Sequence, residues 1–140
     1  MTHQVLFLLI CFLSGKDSAS PFAEFKPIDN TILGTLSSLR KLRSTVDVSV
    51  VLFYTPECSS CISAKSAFTS TAKKLASLVP SVPMILLSCV GEAESFCFFK
   101  EKISHFPSLR IYTGIEFIEF RDETKPKKIE KFLVDRLLKS

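Results

Sequence analysis

Val51-Leu52-Phe53-Tyr54-Thr55-Pro56-Glu57-Cys58-Ser59-Ser60-Cys61 is the stretch whose reading decides the fold. Its first half closes a β-branched and aromatic run, Val46 to Tyr54. The end of that run is almost continuously apolar, the pattern of a strand buried on both faces. Thr55-Pro56 stops it. A helical period follows from about Ser59 to Leu78, with Ala64, Phe68, Ala72, Leu75 and Ala76 on one stripe. A Cys-x-x-Cys between a buried strand and a helix has physical meaning. Cys58 stands at the helix N-terminus, where unpaired N–H groups and the helix dipole favour a thiolate. Cys61 follows nearly one turn later, so its sulfur reaches the first, as a nucleophile and a resolving thiol require.

The pattern continues on both sides. Residues 21–29 are punctuated by proline and read as extended. Asn30 or Thr31 caps a helix expected to carry Ile32, Leu33, Leu36, Leu39 and Leu42. Downstream, Val82 to Val90 is a second buried strand, and Glu92 to Ile103 a short helix bearing Phe96, Phe99 and Ile103. After Pro107, Leu109 to Tyr112 is a strand. Gly114 then turns the chain into Glu116 to Phe120, whose alternation predicts an edge strand with one wet face. Pro126 opens a last helix with Ile129, Phe132, Leu133 and Leu137 inward. Alternation ending in a hairpin implies an α/β fold, a central mixed sheet with helices on both faces.

The chain has 140 residues, room for one domain with a real core. Its 46% hydrophobic content argues against disorder. The net charge of +4 is interleaved with acids, without a basic patch carrying aromatics, so no nucleic-acid partner is expected. Val5 to Leu13 is nine consecutive apolar residues, too short to span a bilayer and the length of a signal-peptide core. Residues 1–20 are therefore read as a cleaved signal peptide and 21–140 as a single domain, with no membrane span after cleavage. Cleavage removes Cys11 and leaves Cys58, Cys61, Cys89 and Cys97, an even set suited to an oxidising compartment. The last residues carry no Lys-Asp-Glu-Leu address, so the endoplasmic reticulum lumen and secretion both stay open.

Three readings of Cys58 and Cys61 compete at this point. They form a working redox pair, an inert structural disulfide, or half of a zinc site with Cys89 and Cys97. The seven residues between Cys89 and Cys97 suit a zinc knuckle poorly. Spacing does not separate the first two.

The segment Val51 to Cys61 resembles the active-site segment of thioredoxin and protein disulfide isomerase domains, which reads strand, Phe-Tyr-Ala-Pro-Trp, then Cys-Gly-His-Cys. His105-Phe106-Pro107-Ser108-Leu109-Arg110-Ile111-Tyr112 is similar to the cis-proline loop and following strand of that family. Leu87-Ser88-Cys89, with Cys97 in the next helix, resembles the structural cysteine pair of some isomerase-type domains. The likeness covers residues 45 to 138 and implies a thioredoxin fold. It also implies Cys58 as attacking thiol, Cys61 as resolving thiol, a cis bond between Phe106 and Pro107, and a Cys89–Cys97 disulfide. The departures fall at the site. Glu57 replaces the Trp, Ser60 the isomerase His, Leu52 a buried acid that takes the second thiol's proton, and Ser66 a helix-kinking Pro. Glu57 and Ser60 are expected to make Cys58 less acidic, Leu52 to make Cys61 slower to ionise, and Ser66 to leave a straighter helix.

The resemblance implies a monomeric thiol–disulfide oxidoreductase of the secretory pathway. It would act on unfolded or disulfide-bearing secretory proteins without a cofactor or metal. The alternative is a redox-inert adaptor or chaperone module whose Cys58–Cys61 bridge stays closed. Phe96, Phe98, Phe99, Phe106, Phe117 and Phe120 are read as core residues, some of them able to form an apolar rim near the site.

Overall fold

The computed structural model describes residues 26–28 and 31–139. The expected signal peptide and its cleavage point lie outside the described residues. In chain order the elements are β1 (Lys26–Ile28), β2 (Thr31–Leu33), α1 (Leu36–Thr45), β3 (Val48–Tyr54), α2 (Ser59–Leu75) and β4 (Met84–Ser88). A 3₁₀ turn (Gly91–Ala93) and a π-helical turn (Phe96–Lys100) follow, then β5 (Ser108–Thr113), β6 (Glu116–Glu119) and α3 (Pro126–Leu138). The strands form one mixed sheet in the order β1-β2-β4-β3-β5-β6. β3 is central, parallel to β4 with Leu52 opposite Leu86, and antiparallel to β5 with Leu52 opposite Leu109.

Side-chain alternation along these strands sorts the core into two layers. Val50, Leu52, Tyr54, Met84, Leu86, Leu109 and Ile111 face α2 and α3, which contribute Ala64, Phe68, Ala72, Leu75, Ile129 and Leu133. On the other face, Val51, Phe53, Ile85, Leu87 and Tyr112 meet Leu39 and Leu42 of α1, and Ala93, Phe96, Cys97 and Ile103 beyond β4. β3 is buried on both faces because each face has its own helical cover. An ion pair between Lys74 and Glu130, 2.9 Å long, also joins α2 to α3.

Three expectations need correction. Ile32 and Leu33 belong to β2, and the first helix begins only at Leu36. Gly34 explains the break: its N–H donates to the Leu86 carbonyl at 2.9 Å, and a Cβ there would meet Ile85 at 2.9 Å. The segment at 92–103 is not one helix. The Glu101 N–H donates to the Phe96 carbonyl five residues back, so the turn is wider than an α-turn. Phe99 therefore leaves the face of Phe96 and is 79% exposed. The edge strand β6 does not divide into one wet and one dry face. Phe117 and Ile118 point to opposite sides and are both 43% exposed, Phe117 against Arg110 and Tyr112 of β5 and Ile118 in an open groove beside α3.

Candidate functional site

Cys58 occupies the N-cap of α2 with extended backbone angles, φ −90° and ψ 119°. The cap is made by the thiol sulfur itself, which accepts the Cys61 N–H at 3.1 Å. Ser60 Oγ lies 3.2 Å from the same sulfur. One backbone donor and one hydroxyl thus converge on the atom whose negative charge the helix N-terminus already favours. Cys58 is half-buried and Cys61 is buried, and both are free thiols.

The opposite wall comes from the loop before β5. The Phe106–Pro107 peptide bond is cis, and the Phe106 carbonyl lies 3.8 Å from the Cys58 sulfur. Pairing of β5 with β3, Phe53 opposite Ser108, brings this loop beside the start of α2. The Ser108 hydroxyl donates to the His105 carbonyl at 2.6 Å and tightens the loop. His105 itself is exposed.

The two thiols are held in different protonation states. Burial works against the Cys58 thiolate, but hydrogen bonds from Cys61 and Ser60 outweigh it, so its pKa falls below the ordinary 9.0. Burial pushes the Cys61 thiol up to about 11, reinforced by its hydrogen bond to Cys58 and by that neighbour's negative charge. Thr55 opposes this, with backbone and side-chain hydrogen bonds that favour the Cys61 thiolate. Leu52 is fully buried in the same core layer as Cys61 and offers it no proton acceptor. Lys65 places its ammonium 4.3 Å from the Tyr54 ring centre, a cation–π contact on the strand that leads into the site. Glu57 is exposed.

Cys89 and Cys97 are joined in a disulfide, Cα to Cα 5.9 Å, that ties the end of β4 to the π turn. Both are buried. The Cys89 N–H donates to the Tyr54 carbonyl at 2.8 Å, so this bridge braces the strand end just before Cys58. Among the described residues, no group of three or more His, Cys, Asp or Glu could hold a metal ion. No helix among them is long and apolar enough to cross a membrane. A groove of about 410 Å³ between β6 and α3, edged by Arg121, Asp122, Lys128 and Asp135, contains neither free thiol.

Some features escaped the reading of the sequence. Ser60 lacks the charge of a His, yet its hydroxyl touches the nucleophile. Arg110, almost fully buried, donates to Glu119 at 3.1 Å and to the Glu101 carbonyl at 2.8 Å. Glu101 also accepts from Arg43 and from the Tyr112 hydroxyl. This ionic knot fastens the end of the π turn to α1, β5 and β6. Its one visible sign in the sequence was a lone charge inside the strand Leu109-Arg110-Ile111-Tyr112.

The architecture is that of the thioredoxin fold. The first thioredoxin domain of mouse protein disulfide-isomerase A4 superposes with a TM-score of 0.68 at 15% identity, covering 82% of this chain and 78% of that one. The J-Trx1 fragment of ERdj5 gives 0.64 at 15% identity, covering 84% of this chain and 55% of the fragment. Human ERp44 gives 0.66 at 18% identity, covering 82% of this chain and 31% of ERp44. The chain thus spans about half of the ERdj5 fragment and a third of ERp44. No family model matches the chain, and no curated protein matches it in sequence. The fold is shared, and the chemistry has to be argued from the site.

Proposed function

We propose that this chain is a thiol–disulfide oxidoreductase of the secretory pathway that acts on disulfide-bearing polypeptides, with Cys58 attacking and Cys61 resolving. One observation carries this reading: a half-buried sulfur capping α2, receiving the Cys61 N–H and lying within hydrogen-bond range of Ser60, opposite the Phe106 carbonyl. In reduction, the Cys58 thiolate attacks one sulfur of the client disulfide. A Cys58–client bond forms, the client bond breaks, and its other sulfur leaves with the electron pair and takes a proton from water. Cys61 then loses its proton, attacks the Cys58 sulfur, and expels the second client thiolate. The client gains two electrons and the chain holds a Cys58–Cys61 disulfide; oxidation runs the same steps backward.

The second step is the slow one. The Cys61 pKa of about 11 leaves little thiolate at neutral pH, and Leu52 supplies no base. Slow resolution favours a long-lived mixed disulfide, which links this reading to its alternative, a client-holding module. The apolar leader at Val5 to Leu13 and the buried Cys89–Cys97 bridge support an oxidising compartment, either the endoplasmic reticulum lumen or the outside of the cell. Insulin reduction by residues 21–140 is the test, beside a Cys58→Ser variant. Turnover that vanishes in the variant supports the enzyme, and equal, background rates for both leave the binding module.

A further inference from the structure

Lys65 is placed unlike the other lysines of α2. Lys73 and Lys74 are exposed, whereas Lys65 is half-buried, and among the described residues no carboxylate is paired with it. Its ammonium lies 4.3 Å from the Tyr54 ring centre. That contact returns only part of the hydration such a charge gives up. Lys65 follows Cys61 by four residues in α2, so the two share a helix face. A helical side chain leans toward the N-terminus, here back over the turn that holds Cys61. The end of β3 fixes both from the other side. Tyr54 carries the Lys65 ammonium, and the next residue, Thr55, is hydrogen-bonded to Cys61 through its backbone and its hydroxyl. Tyr54 and Cys61 belong to one core layer, to which β4, β5 and α3 present Met84, Leu86, Leu109, Ile111, Ile129 and Leu133. Arg110 is buried on the opposite sheet face, against Phe53, and Glu57 is exposed. The ionisable members of the layer are thus Cys58, Cys61 and Tyr54, with Lys65 laid against it. Ser88, opposite Tyr54 in the β3–β4 register, buries a hydroxyl oxygen that finds no partner.

We propose that Lys65 is a positioning residue whose charge supports the Cys61 thiolate while it attacks the Cys58 sulfur. This deepens the oxidoreductase reading and rests on it. In the reduced chain the Cys58 charge and the hydrogen bond to Cys58 both oppose ionisation of Cys61. Once Cys58 is bonded to a client sulfur, that charge is gone. Burial then works against the Cys61 thiolate, while the Thr55 hydrogen bonds and the Lys65 ammonium work for it. In the step itself the Cys61 proton passes to water. The Cys61 sulfur bonds to the Cys58 sulfur, the Cys58–client bond breaks, and the client thiolate leaves with the electron pair. The ammonium acts by its charge and gives up no proton. It brings to this layer the electrostatic help that Leu52 does not supply.

The test separates the two steps with dipyridyl disulfide, an uncharged reagent whose thiol product is coloured. One equivalent added to the reduced chain releases a first thiol when Cys58 attacks and a second when Cys61 resolves. Lys65→Met should slow the second release about threefold at neutral pH, the net of a smaller thiolate fraction and a more nucleophilic thiolate. The first release should keep its rate, and the pH midpoint of the second should move upward. Lys65→Arg, which keeps the charge, should restore both. Lys73→Met removes the same charge from the exposed part of α2, and Ser88→Ala removes the hydroxyl beside Tyr54; both should match the wild type. A second release that is unchanged in Lys65→Met, or slowed as much by Lys65→Arg, Lys73→Met or Ser88→Ala, overturns the proposal. If the wild type gives no second release, it is the oxidoreductase reading that fails. Iodoacetamide alkylation of Cys61 in the Cys58→Ser chain then decides the role of Lys65. A rate about threefold lower with Lys65→Met upholds it, and equal rates overturn it.

Discussion

The domain holds two cysteine pairs near one end of the same strand, and it treats them in opposite ways. Cys89 and Cys97 bridge a strand end and an irregular turn inside one core layer, where neither sulfur meets solvent. Cys58 and Cys61 share a helix N-terminus, one half-exposed and one buried, and remain thiols. The residue type is the same, so the difference lies in burial and in hydrogen-bond donors. A buried bridge has no path for an attacking thiolate. A sulfur at a helix cap has the access and the stabilised charge that exchange requires.

The sharpest way to break this comparison is differential reduction. Starting from the fully oxidised chain, a water-soluble phosphine should open Cys58–Cys61 on the order of 1000-fold faster than Cys89–Cys97, because the buried bridge must await local opening. Timed alkylation and peptide mass mapping read both rates. Equal rates would mean that burial does not separate the pairs.

Next in size is the split within the reactive pair. Cys58 is held below 9.0 and Cys61 near 11, so at pH 8 alkylation should favour Cys58 by about 100-fold. The Cys58 rate should level off at lower pH than the Cys61 rate, which keeps rising towards pH 11. The linked stability has opposite signs at the two thiols. The raised pKa of Cys61 contributes stability that is fully present below its unfolded value and is lost as pH climbs through about 11. The lowered pKa of Cys58 contributes stability present above the unfolded value and lost as pH falls through its folded pKa. The denaturation midpoint of the reduced wild type, compared with Cys61→Ala, should therefore lose ground between pH 9 and 11. A constant difference across that window would remove the role of burial at Cys61.

Removing the structural bridge sharpens the comparison from its other side. The Cys89→Ser, Cys97→Ser chain should lose about 2.5 kcal/mol of stability to urea, the loop-entropy value for so short a closed loop. Its rate with hydroxyethyl disulfide should stay within about twofold, since neither residue touches the exchanging sulfurs. A large loss of exchange would show that the bridge shapes the reactive cap through the Cys89–Tyr54 hydrogen bond. The smallest effect is expected at Ser60. Ser60→Ala removes the hydroxyl beside Cys58 and should raise its pKa, slowing its alkylation at neutral pH. Ser60→His should move the pair toward more oxidising potential in a glutathione titration. No shift in either variant would leave the backbone N–H and the helix end as the whole stabilisation.

Much of this arrangement was legible beforehand, for reasons tied to particular residues. The continuous apolar run ending at Tyr54 announced a strand covered on both faces, and Val50/Leu52 and Val51/Phe53 do divide between the two core layers. Pro56 and the period from Ser59 announced the helix that Cys58 caps. At Ile32 and Leu33 the apolar spacing fits helix and strand alike, because the segment is so short. What settles it is pairing with β4, a partner more than fifty residues away in sequence.

Composition and local spacing alone determined the order of most elements, the central strand, and the cysteine pair set between strand and helix. These depend on periodicity, turn residues and chain connectivity, which are local properties. Only the tertiary structure decided the rest. It placed the Phe106 carbonyl against Cys58, buried Arg110 between the carboxylates of Glu101 and Glu119, and buried Cys61 so that its thiol is pushed up to about 11. It also widened one turn by a residue, so that Phe99 left the core face and Phe98 came to pack edge-on against the Phe106 ring. Access, desolvation and hydrogen-bond supply at a sulfur are set by groups distant in sequence, and they exist only once the sheet has brought those groups together.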